Sequence, residues 1–362
     1  MKALSLLIKP VGDRCNLACK YCFYSSPGST GVMSEETLEL IVKKAFNESE
    51  EFCSFAFQGG EPTLAGLPFY EKFIELLNKH NTHHINVSLA LQTNGTLINE
   101  NWADFLHKNN FLVGLSLDGT PEVHNAHRLY KSGENTHVDV LRAARLLESK
   151  KVDFNILCVV TKAAARHPAQ IYRYLRRCGF DYLQFIPCLD PADKPHGSEK
   201  YSLTEKDYAG FLKQLFDLWY EDLLKGKGSS IRYFDNLVQL AAGYPPESCG
   251  ISGVCCCQNV IEADGSIYPC DFYVKRELCL GNIADISFSD ASECETSRNF
   301  IDTSRPVPDE CKTCRCYPLC RNGCKRERDE RGKNYHCEAL KEFFDYCGGR
   351  IISLARTLPP NR

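Results

Sequence analysis

Long apolar runs are missing from this 362-residue chain. No window approaches the roughly 18 consecutive apolar residues of a helical membrane span. A surplus of one charge is missing too. Forty-three Lys and Arg stand against 46 Asp and Glu, giving a formal net charge of −3 and a pI near 6.4. A nucleic-acid binder usually shows a basic footprint, so none is expected as a partner. The amino terminus reads MKALSLLIKP. Its apolar stretch is shorter than a secretory signal needs and no small-residue cleavage site follows. The expectation is therefore a β-strand of a cytoplasmic protein with no membrane attachment. There is no repeat of 20–50 residues, no low-complexity tract and no G-x-G-x-x-G, so neither a solenoid nor a dinucleotide fold is expected. The ten histidines show no metal-ligand spacing beyond His83-His84 and His124/His127, which read as surface positions.

A hydrophobic fraction of 43% with 25% charged residues suits a packed core rather than a disordered chain. The length predicts two domains, or one large barrel with an addition. Cysteine is what the chain has in quantity, 21 in all. An odd number without a secretion signal is a poor disulfide framework, and a crowd of cytoplasmic thiols points to metal or catalysis. Three lie at Cys15, Cys19 and Cys22. Fourteen fall between Cys249 and Cys347, and only Cys53, Cys158, Cys178 and Cys188 lie between the two groups.

Up to about residue 235 the pattern alternates. β-rich runs at 4–8, 52–57, 86–91, 112–117, 153–160, 182–186 and 230–234 are separated by amphipathic stretches at 34–46, 68–80, 100–108, 138–150, 168–178 and 205–224. Such repetition predicts an α/β fold with a parallel sheet and right-handed crossovers. In a parallel barrel the chemistry gathers at the C-terminal strand ends. Here those ends carry the cysteine loop, then Gln58-Gly59-Gly60-Glu61-Pro62, Gln92-Thr93-Asn94-Gly95-Thr96, Ser116-Leu117-Asp118-Gly119, Thr161, and Pro187-Cys188-Leu189-Asp190-Pro191. Each loop alone could be a turn. Together they predict side chains from several strands converging on one site. Beyond Gly243-Tyr244-Pro245-Pro246 the alternation stops and helical periodicity returns near 338–344. The expected domains are residues 1–235 and 236–362.

Cys15-x3-Cys19-x2-Cys22 places three thiols in eight residues. Structural zinc prefers four ligands shown as two pairs. Three thiolates on one tight loop suit a four-iron cluster with one iron left open. Zinc with a distant fourth ligand, or three unrelated thiols, is the competing reading; the loop's place at the end of the first strand, with Tyr21 beside the last cysteine, favours the cluster. In the C-terminal part, Cys311-x2-Cys314-x5-Cys320-x3-Cys324 and Cys337 follow Cys249, Cys255 and Cys270. These eight suffice for two four-thiolate sites, and zinc remains an alternative there. Spacing alone does not choose among Cys255, Cys256 and Cys257. Cys256, Cys257, Cys279, Cys294, Cys316 and Cys347 are left over and read as small apolar filler. Asp271 directly follows Cys270. A carboxylate among thiolates and aromatics should be partly desolvated and suited to accept a proton, although a turn or capping aspartate is the plainer reading.

Cys15-x3-Cys19-x-Tyr21-Cys22 resembles the signature of radical S-adenosylmethionine enzymes. Gln58-Gly59-Gly60-Glu61-Pro62 is similar to that superfamily's glycine-rich strand end, and the C-terminal pattern resembles the SPASM domain. Closest is the anaerobic sulfatase-maturating family, through Ser5–Pro10, Ser54–Gly66, Leu91–Thr96, Phe154–Thr161 and Tyr268–Tyr273. The resemblance implies a partial TIM-like (β/α)6 barrel with a C-terminal cysteine-rich SPASM domain. It implies S-adenosyl-L-methionine and three [4Fe-4S] clusters as cofactors. The first cluster falls on Cys15, Cys19 and Cys22, one auxiliary cluster on Cys249, Cys255, Cys270 and Cys324, and the other on Cys311, Cys314, Cys320 and Cys337. Tyr21, Gly60, Ser116, Arg128 and Leu189 match cofactor-contacting positions, and Asp271 matches the family's proton acceptor.

The implied activity is oxidation of a sulfatase cysteine or serine, within Cys/Ser-x-Pro/Ala-x-Arg, to Cα-formylglycine after hydrogen abstraction by a 5′-deoxyadenosyl radical. A reduced flavodoxin- or ferredoxin-type protein is the implied electron donor. A radical maturase of ribosomal peptides is the competing enzyme reading; the absence of N-terminal room for a peptide-recognition module counts against it. A zinc-stabilised binding scaffold is the non-enzymatic one. The loop 24–33 is short for the family, and Cys256, Cys257 and Cys316 are extra thiols.

Overall fold

The computed structural model describes residues 1–24 and 31–359. Most of the short loop at 24–33 therefore lies outside the described residues. The chain divides into two compact units, each drawn from three stretches. The first comprises 1–116, 128–154 and 256–301; the second comprises 117–127, 155–255 and 302 onward.

In the first unit, β1 (Ala3–Ile8), β2 (Phe52–Phe57), β3 (Asn86–Thr93) and β4 (Phe111–Ser116) run parallel and in sequence order. On the other edge of β1 lies β8 (Val260–Ile261), then β9 (Ser266–Tyr268) and β10 (Gly281–Asn282) in antiparallel pairing. Strand side chains alternate between faces, and here the two faces differ in kind. Leu4, Leu6 and Ile8 join Cys53, Phe55 and Phe57 in a buried layer. Against it pack Leu38, Ile41 and Val42 of α1 (Glu35–Glu48) and Tyr70, Phe73 and Leu76 of α2 (Leu67–His80). Helices α3 (Glu100–Lys108) and α4 (His137–Ser149) add Trp102, Ala143 and Leu147. The opposite face carries Ser5, Ser54 and Ser88 in one register row and Leu7, Ala56 and Ala90 in the next. In the same phase, that row ends in Lys9, Gln58 and Gln92. Small residues along the strands and polar ones at their C-terminal ends are what a site-bearing barrel face requires.

The helices begin where short polar side chains predict. Ser34 caps α1 by accepting from the Thr37 N–H at 3.1 Å, and Asn99 caps α3 by accepting from the Trp102 N–H at 3.0 Å.

In the second unit, β5 (Phe154–Val160), β6 (Tyr182–Pro187) and β7 (Ser230–Ile231) pair with one another in parallel. Its helices are α5 (Pro168–Arg177), α6 (Glu205–Leu224), α7 (Arg232–Ala241) and α8 (Cys337–Ala355). Phe216, Trp219, Phe234 and Phe343 build an aromatic core, with Phe216 and Phe234 centroids 5.2 Å apart and Phe234 and Phe343 5.9 Å apart.

Two expectations need adjusting. The run at 230–234 is a strand only to Ile231, because Phe234, Leu237 and Val238 return to the core at helical spacing and α7 takes over. The C-terminal helix extends well beyond 344, since Cys347, Ile351 and Ala355 continue its buried stripe past Gly348-Gly349.

Candidate active site

The loop after β1 carries Cys15, Cys19 and Cys22, and the loop after β2 lies directly on it. Gly60 donates its N–H to the Gly12 carbonyl and Glu61 to the Arg14 carbonyl, both at 2.8 Å. A Cβ on Gly60 would stand 2.1 Å from the Arg14 oxygen, so no other residue permits this approach. Glu61 is buried and bridges to the next strand end. Its carboxylate accepts from the Thr63 N–H (3.1 Å), the Thr63 hydroxyl (2.6 Å), the Thr93 hydroxyl (2.7 Å) and the Asn94 N–H (2.8 Å). Burial pushes its pKa above the usual carboxylate value while these donors pull it back.

Cys15 is half-buried, and desolvation raises its thiol pKa, opposed first by the Leu17 N–H at 3.3 Å from Sγ. Cys22 and Glu61 raise it further by their charge, and Arg128 lowers it. The guanidinium of Arg128 donates to the Tyr21 hydroxyl at 3.0 Å, so two of the expected cofactor contacts meet. The Ser116 hydroxyl accepts from the Gln92 amide at 3.1 Å. Leu189 follows β6 in the second unit.

Asp271 opens a short 3-10 turn after Cys270. Its expected setting among thiolates and aromatics omitted the group it meets most directly, a buried cation. Lys9 has no solvent exposure and forms an ion pair with Asp271 Oδ1. The Gln58 amide donates to Oδ2 at 2.8 Å, and the Asp271 N–H donates to Gln258 Oε1 at 3.3 Å. The Lys9 ammonium also sits 3.3 Å from the ring centroid of Tyr24, whose hydroxyl donates to Glu262. This arrangement neutralises and orients the carboxylate. The pattern contained one sign of it, a lysine in the site-facing phase of β1.

In the second unit, Cys249, Cys255 and Cys324 lie close enough for each charge to raise the pKa of a neighbour. The same holds for Cys311, Cys314, Cys320 and Cys337. Burial is the main cause for Cys255, Cys311, Cys320, Cys324 and Cys337, pushing Cys324 to about 12 and Cys320 to about 11. Cys270 belongs to the first unit. Sequence reasoning missed Arg328, which gathers the cysteine-bearing loops by donating to four carbonyls. These are Ser304 and Gly253 at 2.6 Å, Gly323 at 2.9 Å and Asn322 at 3.2 Å. Of the surplus thiols, Cys347 and Cys316 are buried, while Cys257 and Cys294 pack against the core. Cys256 is exposed and is not filler.

None of the 21 cysteines is held in a disulfide, so thiols remain to serve as ligands, and a donor set made of sulfur fits iron–sulfur clusters. Among the described residues, no three His, Cys, Asp or Glu side chains form a group suited to a single metal ion.

Comparison with known proteins places the chain. The family model described as the radical SAM superfamily matches residues 10–175, and that of the iron-sulfur cluster-binding SPASM domain matches 254–315. The fold is the parallel-stranded α/β partial barrel of radical SAM proteins with a SPASM region toward its C-terminus. A cysteine-type anaerobic sulfatase-maturating enzyme of Clostridium perfringens is 50% identical over 99% of this chain and 100% of its own length. A serine-type enzyme of Bacteroides thetaiotaomicron is 31% identical over 95% and 89%. The solved structure of native anSMEcpe with bound AdoMet and Kp18Cys peptide matches with a TM-score of 0.96 and 51% identity, covering 98% of this chain and 100% of that one. The peptide-bound structure of Streptococcus suis SuiB, at 16% identity and a TM-score of 0.63, shares the fold alone. The chain belongs to the anaerobic sulfatase-maturating enzymes, a family of radical SAM oxidoreductases.

Proposed function

We propose that this enzyme oxidises the active-site cysteine of a sulfatase to Cα-formylglycine. The observation that carries the reading is the full-length match to native anSMEcpe with bound AdoMet and Kp18Cys peptide. Relatives of the cysteine type, at 47–50% identity, stand nearer than those of the serine type at 31–33%, which favours cysteine in Cys-x-Pro/Ala-x-Arg as the target.

Cys15, Cys19 and Cys22 would hold one [4Fe-4S] cluster, with S-adenosyl-L-methionine beside Tyr21, Gly60, Ser116, Arg128 and Leu189. Cys249, Cys255, Cys270 and Cys324 would hold a second cluster, and Cys311, Cys314, Cys320 and Cys337 a third. When bound, these groups supply a carbon radical able to take a β-hydrogen and a sink for the electron released afterwards. The chain's own task is then to hold the target carbon and receive a proton. Asp271 accepts it, aimed by Gln58 and balanced by Lys9. Gly60 and Glu61 keep the glycine-rich loop seated on the cysteine loop. On this reading residues 1–235 form the radical-generating part and 236–362 the auxiliary-cluster part.

No helix among the described residues is long and apolar enough to cross a membrane, and the reading places the enzyme in the cytoplasm. Its reductant is a flavodoxin- or ferredoxin-type protein. Anaerobic incubation with S-adenosylmethionine, dithionite and paired peptides differing only in Cys or Ser tests the proposal. Aldehyde in the Cys peptide, seen by mass spectrometry and hydrazide trapping, is expected. Formation of 5′-deoxyadenosine without aldehyde in either peptide overturns it.

A further inference from the structure

We propose that Asn94 sets the reduction potential of the cluster held at Cys15, by donating its side-chain amide hydrogen to that sulfur. The inference rests on the assignment of Cys15, Cys19 and Cys22 as cluster ligands.

The orientation of the amide is fixed by its partners. Oδ1 of Asn94 accepts the Thr96 backbone N–H at 3.0 Å and the Thr96 hydroxyl at 2.7 Å. A backbone N–H only donates, so the end facing it must be oxygen and the other end must be the NH2 group. That group lies 3.8 Å from Cys15 Sγ and 2.9 Å from Asn16 Oδ1. Asn16 is held in turn by its own amide, which donates to Thr96 Oγ1 at 2.8 Å. Asn94 is buried, and its backbone N–H is anchored on Glu61 at 2.8 Å. A continuous chain of contacts therefore runs from the glycine-rich loop through Glu61 and Asn94 to the sulfur.

Hydrogen bonds to cluster sulfurs favour the more negative, reduced state and so raise the potential. Away from bulk water the effect is stronger. The Leu17 N–H is a second donor to the same sulfur, but it belongs to the loop backbone and no side-chain change removes it. Asn94 is the adjustable donor.

The test is a potentiometric titration of the reconstituted holoenzyme, following by electron paramagnetic resonance the signal that changes when S-adenosylmethionine is added. Asn94→Ala should move the midpoint downward. At the wild-type midpoint the oxidised-to-reduced ratio should rise about tenfold, or about 59 mV for one electron. Asn94→Asp keeps the Thr96 and Glu61 contacts, replaces the donor with an acceptor, and should shift the midpoint further the same way. If Asn94→Ala does not load iron, the isosteric Asp variant carries the test. Unchanged midpoints in iron-loaded variants overturn the role of Asn94. Wild-type protein with no iron at this loop overturns the ligand assignment instead.

Discussion

The two cysteine-rich regions hold their sulfurs by different means. Around Cys15, Cys19 and Cys22 the scaffold is the sheet: β1 and β2 pair in register, and the loops they end in dock through backbone hydrogen bonds at Gly60 and Glu61. Around Cys249, Cys255, Cys311 and Cys324 there is little regular structure, only four-residue helices and turns. Arg328 ties the loops beside Cys249, Cys255, Cys320 and Cys324 together through four carbonyls. Where strands supply the frame, a missing Cβ is the critical feature. Where they do not, a guanidinium with several fixed donors takes the place of a ladder.

The strongest test of this contrast removes a sulfur. Cys15→Ala should abolish cleavage of S-adenosylmethionine and leave the auxiliary iron in place, so that content falls from about twelve to about eight irons per chain. Wild-type rates of 5′-deoxyadenosine formation would show that the first loop is not the radical-generating one. Next in size is Asp271→Asn. It should retain cofactor cleavage while aldehyde formation falls roughly 10²–10⁴-fold, the usual worth of a placed general base. Product and 5′-deoxyadenosine falling together would place Asp271 among structural residues.

Arg328→Met sharpens the comparison from the other side. It removes four hydrogen bonds from a charged donor, each worth about 1.5–3 kcal/mol where no replacement is found. The expected outcome is loss of C-terminal iron with the first cluster retained. Its mirror is Gly60→Ala, which forces the Cβ toward the Arg14 carbonyl and should disturb the first cluster alone. Equal loss of iron at both regions in either variant would mean that they do not fold as separately supported sites.

The pattern of residues made the strands, the polar strand ends and the thiol groups legible, because periodicity and spacing are local properties. It did not reveal Lys9 against Asp271, which lie 262 positions apart and meet because β1 and the turn after Cys270 share one unit. A lysine after an apolar strand ordinarily reads as a solvated end. Nor did it reveal Arg328, whose partners are backbone oxygens that carry no side-chain signature. Asn94 was visible only as a residue of a polar loop; its alignment toward Cys15 depends on Thr96 and Glu61 together. The end of β7 is hard to place because, counted from Ile231, Tyr233 fits the strand period and Phe234 the helical one in so short a run.

The smallest expected effect lies away from both regions, and it checks that surface charge does not hold either one. On α1, Glu39 accepts from Lys79 at 2.5 Å and sits 2.9 Å from His80 Nε2, both on α2. Lys79, then His80, hold its carboxyl at about 2, below the ordinary 4.5. A carboxyl depressed in the folded state stabilises above its unfolded value, and that contribution is lost as pH falls from about 4.5 toward 2. Because the pair faces solvent, salt screens it. Glu39→Gln should lower the melting temperature only slightly at neutral pH and low salt, and the difference should vanish in high salt or acid. Iron content at both regions should be unchanged. A large drop in melting temperature that persists in high salt would show that α1 and α2 depend on this pair, and with them the sheet that frames the first loop.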